Sequence, residues 1–352
     1  MTRIALDAMG GDFAPKQIVV GAVEAACGIP DVEILLVGQM AAIQSEIESF
    51  SKDRRLLAQR AIESGTLKII HAPEILEMDD TPAESVRKKK DCSINVAMRL
   101  VKEGRADVFV SAGNSGAVAA SAMFTLKRIA QVHRPAIAMI LPTATPDRPL
   151  LLLDAGANMD CKPEWLAQWA VMGSVFSRSV LGRENPAVGL VSIGAEPCKG
   201  NALVHETYPQ IAAVKGLNFV GNIEGHDICG GNVDVAVADG FVGNVILKSV
   251  ESVAHAIGGW LKAELKKNFF RMLCALTLKG AFKALKRQMD PEVYGGAPLL
   301  GVNGNVIITH GNSTHKAIFY AVKAGVAAAT NDVSGLIAKA VAEHAASAHT
   351  QQ

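Results

Sequence analysis

The stretch "IALDAMGGDFAPKQIV", residues 4–19, decides the fold class. Ile4, Ala5 and Leu6 form an apolar run that ends on Asp7, the pair Gly10 and Gly11 follows, and Pro15 opens an alanine- and valine-rich segment of helical character. A buried strand here hands over to a helix through a glycine turn. Glycine takes backbone angles other residues avoid, and proline suits the first helical position because its missing N–H would be unpaired there. Two readings of the turn stand side by side. It aims backbone N–H groups at an anion, or it is a tight βα turn with Asp12 as the helix cap.

The same hand-over recurs along the chain. "VEILLVG", "LKIIHA", "DVFVSAG", "AIAMILP", "LLLLDAG", "AVGLVSIG", "NFVGNIEG", "VDVAVADG" and "VIITHG" are further β-rich runs, most ending in a small or polar residue. Helix-length amphipathic or alanine-rich segments lie between many of them, as at 41–63, 83–103, 116–129 and 162–182. This alternation predicts an α/β fold with a mainly parallel sheet. No repeat, low-complexity tract or long Pro/Ser linker marks a boundary, so one domain over 1–340, with room for two lobes, is expected.

With 352 residues, 49% hydrophobic and 20% charged, the chain has ample material for a core without staples. A formal net charge of +1 excludes a strong global pull toward nucleic acid, and no nucleic-acid partner is expected. The six cysteines are scattered with no CxxC pair, which suggests neither a disulfide framework nor a zinc site. No basic-apolar signal opens the sequence and no apolar run reaches the roughly 20 residues of a spanning helix. The expected compartment is a reducing cytoplasm.

Ligands of such sheets bind beyond the carboxyl ends of the strands. There the sequence collects Asp7 with Gly10 and Gly11, "SAGNSGA" at 111–117, "DAGAN" at 154–158, "GAEPCKGN" at 194–201, "ADGFVGN" at 238–244 and "HGNS" at 310–313. One such turn means little, since turns need glycine anywhere; six at strand ends point to a shared site. Glycines admit a ligand close to the backbone, amides both donate and accept, and helix N-termini favour anions by about 0.3–1 kcal/mol each. The expected ligand carries phosphate or a comparable anion. GxxxxGK[ST], a GxGxxG after the first strand, GxSxG and HExxH are all absent, so neither metal nor covalent intermediate nor cofactor is expected. His310 and His315 lie near Ser313, but a structural or substrate-contacting role fits that spacing better than a triad.

Taken in order, "LDAMGGDFAP", "SAGNSGA", "LLDAGAN", "ADGFVGNVILK" and "YGGAPLLGVNG" followed by "HGNS" resemble the bacterial acyl-ACP:phosphate acyltransferases, the PlsX family of phospholipid synthesis, from Ile4 to about Ala328. Ser115 stands where that pattern has threonine, and "HGNS" replaces the more usual "HGSS". The resemblance implies transfer of a long acyl chain from acyl carrier protein to inorganic phosphate, giving acyl phosphate for a membrane-bound glycerol-phosphate acyltransferase. It also implies a homodimer and a three-layer α/β sandwich similar to phosphotransacetylases and isocitrate or isopropylmalate dehydrogenases. Phosphate is then the nucleophile, and the protein needs only to hold it beside the thioester carbonyl and stabilise the oxyanion. Lys199, between Gly194 and Gly200, is the expected cation, against the alternative of a solvated lysine. Asn244 is expected to orient phosphate or donate to the thioester oxygen, against the alternative of a cap. Gly10, Gly11, Asn114, Asn158, His310 and Ser313 are expected to bind substrate. Asp7 joins them, although for Asp7, Asp154 and Asp239 a carboxylate beside phosphate is repulsive, and orienting a donor is the safer role.

Residues 257–287, "IGGWLKAELKKNFFRMLCALTLKGAFKALKR", differ from their surroundings. Against Glu264 stand Lys262, Lys266, Lys267, Arg271, Lys279, Lys283, Lys286 and Arg287, with Leu261, Leu265, Phe269, Met272, Leu273, Leu276 and Phe282 at near-helical spacing beside Phe270. This predicts a basic amphipathic projection over 251–290, one segment or a helix pair broken near Gly280. Such segments dock on membrane surfaces or acidic partners, carrier protein included; an ordinary surface helix packing on its own domain or across a dimer is the alternative. Leu261, Lys266, Lys267, Phe269, Phe270 and Arg271 are the expected contacts, with peripheral membrane association. Two other functions compete: an NAD(P)-dependent dehydrogenase of the isopropylmalate type, which lacks its metal-ligand aspartates and adenine signature here, and a non-catalytic membrane scaffold, which has no reason to keep the strand-end loops.

Overall fold

The computed structural model describes residues 1–145, 147–289 and 291–349, with the side chains at 285–289, 291 and 347–349 outside that description. The first half runs β1 (Thr2–Asp7), α1 (Lys16–Gly28), β2 (Val32–Gly38), α2 (Met40–Ser49), α3 (Lys52–Glu63), β3 (Leu67–His71), α4 (Pro82–Lys88), α5 (Ser93–Lys102), β4 (Val108–Ser111) and α6 (Ser115–Thr125). Then come β5 (Ala136–Leu141), β6 (Leu150–Leu153), α7 (Pro163–Ser179), β7 (Val188–Val191), α8 (Ala202–Ala212), β8 (Phe219–Ile223), α9 (Gly225–Ile228) and β9 (Val235–Val237). Helices α10 (Gly240–Leu265), α11 (Phe269–Thr277) and α12 (Lys279–Met289) follow, and β10 (Ala297–Leu300), β11 (Asn305–Ile308), α13 (His315–Thr330) and α14 (Val333–His349) close the chain.

All the strands join one sheet in the order β3-β2-β1-β4-β11-β10-β5-β6-β9-β7-β8. Strands β3, β2, β1, β4 and β11 are mutually parallel, as are β6, β9, β7 and β8. Between these blocks, β10 is antiparallel to both β11 and β5, and β5 is antiparallel to β6. The two parallel blocks therefore run in opposite senses. The mainly parallel α/β reading is correct, but β10 was not among the expected strands. "APLL" is four residues long, carries a proline and has no alternation, so only its pairing with β11 and β5 makes it a strand.

Helices cover both faces. On the first block, Ile4, Leu6, Ile34 and Leu36 pack with Ile18, Val19, Ala22 and Val23 of α1 and Ile318, Ala321 and Val322 of α13. On the other face Ala5, Val37 and Phe109 pack with Ile94, Ala97 and Met98 of α5 and Ala117 and Val118 of α6. Helix α1 is buried nearly all round because α13 lies against its flank on the same face of the sheet, closest at Gly21, where a Cβ would meet Ile318 Cβ at 2.7 Å. In the second block Leu151, Leu153, Val188 and Val235 pack on α7 and α14, and Leu150, Leu152 and Ala236 on Ile228 and Leu247.

Three helical segments are broken differently from expectation. Residues 41–63 form α2 and α3, separated at Phe50 and Ser51, and 83–103 form α4 and α5, separated at 89–92. The basic segment breaks at 266–268 and at Leu278, where Asn268 caps α11 by accepting from Arg271 N at 2.9 Å, and Gly280 lies inside α12. Past Leu247, no described residue of α10, α11 or α12 is buried. The side chains of Lys286 and Arg287, and residue 290 altogether, lie outside the described residues.

Candidate active site

Three loops leave the sheet at one edge because β6, β9 and β7 are neighbours and parallel. Leu153 and Leu190 both pair with Val237, so "DAGAN", "ADGFVGN" and the turn around Lys199 emerge level with one another. At the ~4.8 Å spacing of strands they start within about 10 Å.

Asp154 builds the first loop. Its Oδ1 accepts from Ile137 N at 3.0 Å, Gly156 N at 3.3 Å and Ala157 N at 3.1 Å, and its Oδ2 from Asn158 N at 2.7 Å and Asn158 Nδ2 at 3.0 Å. The carboxylate is buried, and burial pushes its pKa up while these donors pull it back. Asp154 thus shapes the loop. Asn158 Nδ2 also donates to Pro135 O at 2.8 Å, so its side chain is spent on the same task.

This loop clamps the start of α10. Gly240 N donates to Asn158 O at 2.7 Å, and Asp239 caps the helix by accepting from Val242 N at 2.9 Å. Neither Gly240 nor Gly243 has space for a Cβ, because the carbonyls of Asn158 and Asp154 occupy it. One turn into the helix, exposed Asn244 sits over Gly156, whose φ of +128° suits glycine and whose missing side chain leaves the amide uncovered. Cys161 donates to Asn158 O at 3.3 Å, and burial pushes its thiol up to about 11, a protonated group rather than a nucleophile.

Lys199 lies in the third loop, where its N–H donates to Glu196 O at 2.9 Å. Its side chain is exposed and makes no ion pair among the described residues. Asn201 then caps α8 by accepting from Val204 N at 3.0 Å.

The remaining expected residues form a second group, on the other block. Asp7 Oδ2 accepts from Ser111 Oγ at 2.7 Å, Ser111 Oγ accepts from Gly113 N at 2.9 Å, and Asp7 Oδ1 accepts from Met9 N at 3.0 Å. Gly10 packs against that carboxylate and Gly113 N; Gly11, with φ +100°, packs on Gly311 O. Asp12 is not a cap: α1 has no side-chain cap bond, and Asp12 N donates to Gly311 O at 2.8 Å. Asn114 caps α6 through Ala117 N at 3.1 Å and donates to Met78 O at 2.9 Å; His310 Nδ1 accepts from Asn312 N at 3.3 Å, and Ser313 is buried.

The structure therefore joins Asn158, Lys199 and Asn244 at one edge, and Asp7, Gly10, Gly11, Asn114, His310 and Ser313 at the opposite one. The single shared site expected from six loops divides in two because the blocks run in opposite senses. Ser111, Gly113, Gly240 and Gly243 were quoted within motifs without being singled out. Asn222, described below, was missed; a polar residue inside the apolar run "NFVGNIEG" was its only signal.

Residues 2–336 match the model of a family described as fatty acid synthesis protein. A phosphate acyltransferase of Desulforamulus reducens is 49% identical over 325 residues, 92% of each chain. One from Elusimicrobium minutum is 47% identical, over 91% of this chain and 90% of its own. Among solved structures, a phosphotransacetylase from Streptococcus pyogenes superposes with a TM-score of 0.59 at 16% identity, over 94% of both chains. The EutD phosphotransacetylase from Staphylococcus aureus does so at 0.56 and 16%, over 93% of this chain and 94% of its own. These two share the fold. The relatives favour neither the dehydrogenase nor the scaffold alternative.

Proposed function

This chain belongs to the fatty acid synthesis protein family and is an enzyme that transfers an acyl group to phosphate, and we propose that the donor is a long-chain acyl thioester of acyl carrier protein, with Lys199 and Asn244 carrying the transfer. In this mechanism an oxygen of hydrogen phosphate attacks the thioester carbonyl, a C–O bond forms, and the oxyanion collapses with loss of the C–S bond, giving acyl phosphate and a thiolate that takes the proton the phosphate gives up. The Lys199 ammonium offsets the negative charge of phosphate and oxyanion. Asn244, uncovered over Gly156, orients phosphate or donates to the carbonyl oxygen, and Asp154 and Asp239 hold the loops that position it.

The observation that carries this reading is the convergence, on a single edge and from adjacent strands, of a cation without an ion pair among the described residues and an exposed amide, beside Asp154, whose carboxylate is already taken up by donors of its own loop. The test is acyl phosphate formation from long-chain acyl carrier protein and inorganic phosphate, beside Lys199→Ala and Asn244→Ala. Losses of about 100-fold in either variant are expected; wild-type rates in both would remove the pair from the mechanism.

The helical arm of α10–α12 supports a second part of the proposal, peripheral binding of a cytoplasmic homodimer to the membrane where the acceptor enzyme resides. Trp260, Phe269 and Phe270 are 72%, 67% and 78% exposed, and Lys266, Lys267 and Arg271 adjoin them, the last two paired with Glu264. Aromatic side chains flanked by cations suit a lipid interface, and each cation near an anionic surface adds roughly 1 kcal/mol. Leu261 extends the same exposed surface, and no described helix is long and apolar enough to cross a membrane.

A further inference from the structure

Lys199 sits on a loop that a buried amide holds from below. Asn222, on β8 and only 5% exposed, donates through Nδ2 to Glu196 O at 2.9 Å and to Lys199 O at 3.3 Å. Those carbonyls lie at the two ends of the turn closed by Lys199 N on Glu196 O. A single side chain from the neighbouring strand thus fixes the residue that bears the cation and the residue that begins its turn.

The strand is shaped for this. Val188 pairs with Phe219 and Gly189 with Gly221, so Val220 is an extra residue on β8 and lies out in solvent. A bulge of this kind re-aims the side chains that follow it. Asn222 comes level with Leu190, one strand-end away from the loop, at a position where an apolar residue would bury more cheaply. Gly200, with φ +122° and no room for a Cβ beside Val204, then releases the chain into α8.

We propose that Asn222 is a positioning residue: it sets the place of the Lys199 ammonium in the site, and acts on acyl transfer only through Lys199. The inference rests on the assignment of Lys199 above. Since a misplacement of about 1 Å in a catalytic group costs on the order of 100-fold, a loosened loop lowers the rate without touching either substrate.

A double-mutant cycle in kcat/KM for phosphate tests it, with wild type, Asn222→Ala, Lys199→Ala and the double variant. The expected result is a loss of about 30-fold for Asn222→Ala alone, and a double variant within about 2-fold of Lys199→Ala, because a loop without its cation has nothing left to misplace. A merely destabilising change would lower both backgrounds equally, so losses that multiply would overturn the inference, as would a wild-type rate for Asn222→Ala. A wild-type rate for Lys199→Ala would instead sink the Lys199 assignment and this inference with it. Asn222→Ser, which keeps one donor, provides the comparison if the alanine variant fails to fold; its loss should also vanish in the Lys199→Ala background.

Discussion

Gly243 lies so close over the carbonyl oxygen of Asp154 that no side chain fits between them. This contact seats the first turn of α10 on the loop after β6, and with it Asn244. Gly243→Ala must push the helix away, and is expected to cost about 1–3 kcal/mol of stability and most of the activity. Gly258 and Gly259, in the same helix, face open space, so alanine at either should add roughly 0.5–1 kcal/mol. Thermal melts of the variants decide between contact and propensity: equal effects at 243 and 258 would refute the seating role.

The sign of charge at position 244 is the sharper probe of phosphate binding. Asn244→Asp keeps the shape and replaces donors by a negative charge. It is expected to fall about 10-fold below Asn244→Ala in kcat/KM for phosphate, because a carboxylate repels the nucleophile. An aspartate variant as active as wild type would place the anion elsewhere.

The buried Asp7 makes stability depend on pH. Burial holds its pKa above the ordinary 3.8, so between that value and the raised one the folded state binds the proton better than the unfolded chain. Stability is therefore lost as pH rises across this window. Asp7→Asn removes the effect, and the melting temperature of the variant minus that of wild type should increase from pH 4 upward and then level off. Asp154, shifted in the same direction, is present in both proteins and cancels in the difference. A flat difference would mean that Asp7 ionises normally.

Asp234 is a different case, a buried carboxylate with its charge matched. Its side chain is 3% exposed and meets Arg148 at 3.1 Å and Arg183 at 3.5 Å, and it accepts from Ala187 N at 2.9 Å. Asp234→Ala should cost roughly 2–3 kcal/mol, less than a fully buried pair would lose, because Arg148 keeps solvent. Chemical denaturation measures this directly, and a loss below 0.5 kcal/mol, about the size of a surface pair, would contradict it.

Binding of the arm to anionic vesicles is expected to weaken as salt rises, and to disappear when Leu261, Phe269 and Phe270 are replaced by charged residues. Unchanged binding after those replacements would end the membrane proposal. Salt-sensitive binding of acyl carrier protein to the arm in the absence of lipid would assign it to the donor instead.

Much of this protein was legible from its residues. Strand runs such as "IALDA" and "LLLLDAG", the glycine turns that end them and the basic amphipathic character of 257–287 are local properties, set by side-chain period and backbone freedom within a few residues. The order of the motifs was enough to show the resemblance that the relatives confirm. Which strand ends share an edge was not legible. That depends on pairings at the centre of the sheet: "APLL", a short proline-containing run that becomes a strand only between β11 and β5, leaves β5 in the sense of the first block, and the antiparallel pairing of β5 with β6 turns the second block against it. The same holds for Asn222, whose position under Lys199 comes from one extra residue in β8. Hydrophobic pattern fixes what each segment is, because burial acts residue by residue; where the loops meet is fixed by pairings between segments far apart in the chain, which no local pattern encodes.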